Sequence, residues 1–319
     1  MMDYRKLGHT DLYLSEIGMG TNQIGGHNLY DDVDELENIA AVEQAVEGGI
    51  NFFDTADVYG LGRSEELLGL ALGGYKNDVI IATKGGNAFA PDGRRWGVDN
   101  SPAYLRKALE ESLRRLNREY IDLYYIHRWD GKTPIAEAFG TLLRFKEEGK
   151  IRAAGVSNFG LEQLRQAMSA GPVDALQNRY NLFDRYVEGD LLEYCRAQGV
   201  SFVPYGPRAL GILGGRYERD LQLTPNGWRR GVPLFSPEHF PRVMDIVEQL
   251  QEFATARNVP LAHLAMRWVL RDPAVTSSIT GARRTAQVSE NARAVGWDLA
   301  PEELSAIDRL TRRLNFFSV

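Results

Sequence analysis

The chain has 319 residues, 44% hydrophobic and 25% charged, and its 37 basic and 43 acidic side chains leave a net charge of −6. An acidic balance without a Lys/Arg stripe excludes a general nucleic-acid or anionic-membrane binder, since both depend on clustered positive charge. No run of about 18 apolar residues is present to span a membrane, and the single cysteine, Cys195, offers neither an internal disulfide nor a metal cage. The charged N-terminus lacks the apolar core of a signal peptide. The expectation is a cytoplasmic protein, monomer or small homo-oligomer, with a small molecule as its partner and no metal, nucleic acid or membrane.

The first twenty residues predict a hairpin, MDYRKLG and LYLSEIGMG flanking the turn Gly8-His9-Thr10-Asp11. From there eight β-rich runs begin near residues 15, 50, 79, 121, 151, 173, 201 and 275. Segments with helical spacing and helix punctuation follow them at 34–47, 64–72, 101–116, 133–148, 161–170, 189–198, 260–271 and 285–294. Strands alternating with helices imply parallel βαβ units, and eight such units predict an α/β fold, a (β/α)8 TIM barrel, over residues 1–319 as a single domain. An open doubly wound sheet is the main competitor. Further helices are expected at 237–256 and 301–313. The intervals 22–33, 85–100 and 208–236 are long and each follows a strand, which in a barrel puts them on the C-terminal face where active sites are built.

The strand ends on that face read Asp54, Lys84, His127, Ser157-Asn158, Gln177, Tyr205 and Gly281, with Tyr59 five residues beyond Asp54. Lys84 after VIIAT and His127 after IDLYYI should lie partly buried, where a polar group needs a partner. Singly, Asp54 could cap a turn, Tyr59 pack a loop, Lys84 end a strand in solvent and His127 sit satisfied in a core. Their coincidence at one end of consecutive strands favours a proton-transfer unit. In it Tyr59 donates a proton, Lys84 lowers the phenol pKa toward the working range, Asp54 orients Lys84, and His127 bonds the oxygen where negative charge develops.

The later strands offer a different chemistry. Ser157, Asn158 and Gln177 suit a carboxamide and Tyr205 gives a flat face for an aromatic ring, together a nicotinamide seat. Gly206-Pro207-Arg208 and residues 211–215 allow close backbone approach to a pyrophosphate. Gly281-Ala282-Arg283-Arg284 opens the last barrel helix, where N–H groups and two arginines suit an extra phosphate such as the 2′-phosphate of NADP, or else form a solvated helix start. Gly60-Leu61-Gly62 lacks the third glycine of a dinucleotide loop and reads as a helix entrance. Arg94-Arg95-Trp96, Trp129 and Trp228-Arg229-Arg230 either line a substrate mouth or pack a surface. Cys195 reads as inert core.

At these residues the chain resembles the aldo-keto reductases, including the bacterial branch with a short C-terminal tail. The likeness runs through nearly the whole chain in RKLGHTDLYLSEIGMGT, NFFDTADVYGLGRSEELLG, IATKGG, SLRRLNREYIDLYYIHRWD, EEGKIRAAGVSNF and TGARRTAQVSEN. The resemblance implies a barrel that binds NAD(P)H in extended form and reduces aldehydes or ketones. It implies that Asp54, Tyr59, Lys84 and His127 form a catalytic tetrad with Tyr59 as general acid, that Ser157, Asn158 and Gln177 hold the carboxamide, and that Tyr205 is the stacking ring. It puts Gly20 and Thr21 near the nicotinamide ribose and Gln287, Glu290 and Asn291 at the adenosine. Many members have Ser and Leu where this chain has Gly206 and Arg208, and well-studied eukaryotic members have Lys and Arg where it has Gly281 and Gln287. That leaves Arg283 or Arg284 for a 2′-phosphate, so NADP(H) is expected ahead of NAD(H). Rival expectations are an NADP(H)-binding redox-sensing regulator of the same fold and a Schiff-base lyase using Lys84 as nucleophile.

Overall fold

Side chains alternate between the two faces of a strand, so a closed barrel needs one face of each strand for its interior and the other for its helices. The computed structural model describes residues 2–27, 30, 32–75, 78–89, 95–215, 217–221, 223 and 228–312. It opens with an antiparallel hairpin of β1 (Tyr4–Lys6) and β2 (Tyr13–Ser15). The barrel strands follow as β3 (Ile17–Gly20), β4 (Phe52–Asp54), β5 (Ile80–Gly85), β8 (Ile121–Ile126), β9 (Ile151–Ser157), β10 (Ala175–Gln177), β11 (Ser201–Phe202) and β12 (Ser278–Gly281). All neighbours pair in parallel, and β12 returns to pair with β3. Bridges from Phe202 to Val275 and Tyr205 to Ile279 join the two remaining edges and close the ring. The open-sheet alternative is thereby excluded.

The helices are α1 (Glu35–Glu47), α2 (Arg63–Ala71), α3 (Pro102–Leu116), α4 (Ile135–Glu147), α5 (Leu161–Met168), α6 (Asp190–Gln198), α7 (Phe240–Ala256), α8 (Leu261–Leu270), α9 (Thr285–Asn291) and α10 (Pro301–Thr311). Their ends obey local chemistry. Asp34 caps α1 by accepting from Leu36 and Glu37 N–H, and Ser101 caps α3 ahead of Pro102. One element departs from expectation: the interval 85–100 carries a second hairpin, β6 (Asn87–Phe89) with β7 (Arg95–Val98). Its sequence signal was Pro91-Asp92-Gly93 between two short β-rich runs.

The barrel interior is a separate apolar cluster. Phe52, Ile80, Ala82, Leu123, Tyr125, Ala153, Ala175, Val203 and Ile279 pack there against Leu7, Leu12 and Leu14 of the N-terminal hairpin. The hairpin therefore plugs the barrel's N-terminal end, and each fully buried leucine contributes about 1.5–3 kcal/mol. Gly8 N–H donates to Ser201 Oγ at 2.7 Å and fixes the plug to β11. With the lower end sealed by side chains, the polar residues two positions further along each strand emerge at the other end. No helix among the described residues is long and apolar enough to cross a membrane.

Candidate active site

Inward alternation on β5 runs Ile80, Ala82, Lys84, so the lysine follows two apolar positions into the barrel and is fully buried. A buried ammonium is costly unless paired. Here it donates to Asp54 Oδ1 at 2.6 Å and to the Thr55 carbonyl at 2.7 Å. Asp54 Oδ2 accepts from Gln177 Nε2 at 2.8 Å. Both carboxylate oxygens are thus occupied from two different strands.

Tyr59 stands on a single 3-10 turn, Tyr59–Gly62, between β4 and α2. Gly60 holds φ +56° inside that turn, and a Cβ there would overlap the Gly25 carbonyl oxygen. The Lys84 ammonium lies 5.1 Å from the Tyr59 ring centroid, and His127 meets the ring edge-on at 5.9 Å between centroids. Asp54, Tyr59, Lys84 and His127 are therefore brought together.

The electrostatics differ from expectation on one point. Burial, then the nearby Asp54 and Asp57 carboxyls, pushes the Tyr59 hydroxyl well above the ordinary phenol range, so its net shift is upward although Lys84 stands beside it. Burial also raises Asp54, opposed by Lys84 and by the hydrogen bond from Gln177. Asp57, which the sequence did not single out, is buried with Oδ1 lacking a hydrogen-bond partner, and burial together with Glu65 pushes its carboxyl well up.

A cavity of about 340 Å³ opens onto this cluster. Of the expected residues, Gly20, Thr21, Asp54, Tyr59, Gln177, Tyr205, Gly206, Pro207, Arg208 and Gly281 line it. A second cavity of about 240 Å³ shares Arg208, Gly211 and Arg229 with the first and reaches Gln287 and Glu290. The result is one elongated cleft, with amide and phenol groups at one end and arginines at its middle. Arg229, expected at a substrate mouth, instead lines both halves. Asn22 and Gln23 were not anticipated and directly extend the Gly20-Thr21 segment after β3, and Tyr30 belongs to the 22–33 interval expected on this face.

Other expected residues stand off the cleft wall. Ser157 is buried, and Asn158, at φ +60°, spends its amide on the protein: Nδ2 donates to the His127 carbonyl at 3.0 Å and to Ser157 Oγ at 3.1 Å. Asn158 Oδ1 accepts from the Tyr205 hydroxyl at 2.8 Å, which holds that ring in place. Asn291 is buried in α9. Arg208 Nη2 donates to the Gly281 carbonyl at 2.6 Å, linking the segments after β11 and β12.

The expected phosphate end is already engaged by carboxylates. Arg283 forms a two-pronged ion pair with Asp32 at 2.7 and 2.8 Å, and Arg284 lies 3.8 Å from the same carboxylate. At the start of α9, Thr285 N–H and Oγ1 both donate to Glu37 Oε1, at 2.9 and 3.2 Å. The helix start read as open to phosphate is therefore occupied by a glutamate.

Trp129 donates its indole N–H to the Thr133 carbonyl and packs against the core. Arg94 and the side chains of Arg95, Trp96 and Trp228 lie outside the described residues. Cys195 is buried with its thiol pushed up to about 12 by that burial, in keeping with an inert core position.

Comparison with known proteins agrees with this architecture. Residues 16–312 match the model of the aldo/keto reductase family. The chain is 33% identical over 312 residues to the aldo-keto reductase YhdN of Bacillus subtilis, covering 97% of this chain and 93% of that protein. It is 34% identical over 322 residues to the NADH-specific methylglyoxal reductase of Escherichia coli, covering 97% and 98%. The structure superposes on that of a glycerol dehydrogenase from Gluconobacter oxydans with a TM-score of 0.91 at 34% identity, covering 99% and 97% of the two chains. The chain belongs to the aldo-keto reductase family, with its (β/α)8 barrel and its nicotinamide-dependent oxidoreductase chemistry on carbonyl groups.

Proposed function

We propose that this chain reduces a small-molecule aldehyde or ketone to the alcohol, with Tyr59 as general acid. The observation that carries the reading is a half-buried tyrosine on the wall of a cleft beside a buried, ion-paired lysine. A reduced nicotinamide, when bound, supplies hydride to the carbonyl carbon. Tyr59 donates its hydroxyl proton to the carbonyl oxygen as negative charge builds there. The Lys84 ammonium then stands beside the phenolate and stabilises it at the moment it forms, which is when the electrostatic help counts. Asp54 and Gln177 keep Lys84 from swinging away, and His127, which packs against the Tyr59 ring, is the group proposed to bond the oxygen where charge develops.

The residues present fit an extended dinucleotide. Tyr205 offers a ring face fixed by Asn158, Gly206, Pro207, Arg208 and Arg229 would meet the pyrophosphate, and Gln287 and Glu290 would border the adenosine. Both coenzyme forms are within the family's range, since the Escherichia coli relative is named for NADH. Arg283 and Arg284 are the cations a 2′-phosphate would need, and Arg283 is paired with Asp32 in this structure.

Tyr59→Phe tests the reading by the loss of reduced-nicotinamide absorbance with a panel of aldehydes, ketones and aldoses. Retained nucleotide binding with turnover lower by about 100-fold or more is the expected result. Undiminished turnover removes Tyr59 from the role, and tight nucleotide binding without turnover in the unaltered chain would favour a redox-sensing protein.

A further inference from the structure

We infer that Asp32 selects the coenzyme, acting as a built-in competitor for the cations that a 2′-phosphate needs. The inference rests on the reductase reading and deepens it. Arg283 lies between Gly281, which lines the first cavity, and Gln287, which lines the second, and its own N–H donates to Gln287 Oε1 at 3.0 Å. Arg283 thus stands behind the cleft wall, bonded to a residue that lines it. Its guanidinium, only 20% exposed, is held by both oxygens of Asp32. Tyr30, two residues before Asp32, lines the cleft and lies under the same guanidinium at 5.7 Å.

A two-pronged guanidinium–carboxylate pair uses the same fork that a phosphate would use. A phosphomonoester arriving there must displace Asp32 from Arg283 and then sit beside the freed carboxylate, which repels it. The neighbouring Glu37 holds the Thr285 N–H and hydroxyl, so those two donors at the start of α9 are also engaged. NAD(H) carries a neutral hydroxyl at that position and meets neither obstacle. Of the two arginines that favour NADP(H) when counted alone, Arg283 is already paired in this chain by a carboxylate from the segment before α1, and Arg284 lies 3.8 Å from the same group. The structure thus points to NAD(H) bound at least as tightly as NADP(H).

Calorimetric titration of the full chain with NADPH and with NADH, in parallel for Asp32→Asn and Asp32→Ser, tests this without relying on turnover. The expected wild-type result is an NADPH dissociation constant equal to or larger than that for NADH. Both variants should then tighten NADPH by about 10-fold or more while moving NADH less than about threefold. Adding Arg283→Ala to Asp32→Asn should abolish the gain. A wild type that already favours NADPH tenfold, or variants that leave the ratio unchanged, would overturn the selection by Asp32 while leaving the reductase reading intact. Binding of neither nucleotide would remove the reductase reading itself and the selection with it.

Discussion

Replacing Lys84 by methionine tests the charge cluster at the C-terminal end of the barrel. Methionine matches much of the lysine stem, so the cavity left is small, but the two donors to Asp54 and the Thr55 carbonyl vanish. Hydrogen bonds from charged groups are worth about 1.5–3 kcal/mol each, and Asp54 keeps only Gln177 as a partner while remaining buried. The expected loss of unfolding free energy is about 3–5 kcal/mol, the usual cost of stranding one member of a buried pair. Urea denaturation followed by tryptophan fluorescence measures it. Adding Asp54→Asn to Lys84→Met should recover most of that loss, because the stranded charge is gone.

The pH dependence has a defined sign. Burial raises Asp54 and Lys84 opposes that rise, so removing Lys84 lifts the native-state pKa further above the unfolded value of about 3.9. The native state then binds more protons than the unfolded state in that window, and stability falls as pH rises through it. The gap between Lys84→Met and wild type should therefore be smaller at pH 5 than at pH 8. A loss under about 1 kcal/mol, the worth of an exposed pair, or a gap independent of pH would refute the account of Asp54 as an ionised group stabilised by Lys84.

Two glycines give further tests. Gly60→Ala adds a Cβ at φ +56° against the Gly25 carbonyl, so the turn carrying Tyr59 must shift; turnover should fall about 10- to 100-fold with the far-UV circular dichroism unchanged, and unaltered kinetics would mean Tyr59 is not held by this turn. Gly155→Ala places a Cβ 2.6 Å from two carbons of the Tyr125 ring and 2.8 Å from the Ala175 carbonyl, overpacking the barrel interior. It should cost about 1–3 kcal/mol in denaturant unfolding, and a neutral result would mean that Tyr125 repacks freely.

The barrel was legible because its rules are local and repeat. Each βα unit announces itself by an apolar run followed by helical spacing, and eight repetitions leave little room for another closed arrangement. The cluster of Asp54, Tyr59, Lys84 and His127 was legible for the same reason: Lys84 and His127 each follow an apolar run, and alternation on β5 sends Lys84 inward after Ile80 and Ala82. The hairpin of β6 and β7 was not read, although the sequence Pro91-Asp92-Gly93 has turn composition, because its flanks are too short to stand out against an expected loop. The direction of the Tyr59 shift was not legible either. Proximity to Lys84 was inferred correctly, but the balance depends on burial and on Asp57, whose carboxyl points to no motif.

The amide roles show a related limit. Ser157, Asn158 and Gln177 have the right chemistry for a carboxamide, yet Asn158 is committed to the His127 carbonyl, Ser157 and the Tyr205 hydroxyl, and Gln177 to Asp54. A residue type reports what a side chain is able to bond, and only the fold reports what it already bonds. The arginines at 283 and 284 carry that point furthest. Asp32, the partner of Arg283, and Glu37, the partner of Thr285, precede them by about 250 positions and read in sequence as an ordinary acidic helix entrance. Closing β12 onto β3 brings α9 against α1, so the same step that completes the barrel also sets Asp32 against Arg283 and Glu37 against Thr285. On the proposed selection by Asp32, coenzyme choice depends on barrel closure as much as on the residues of the cofactor motif.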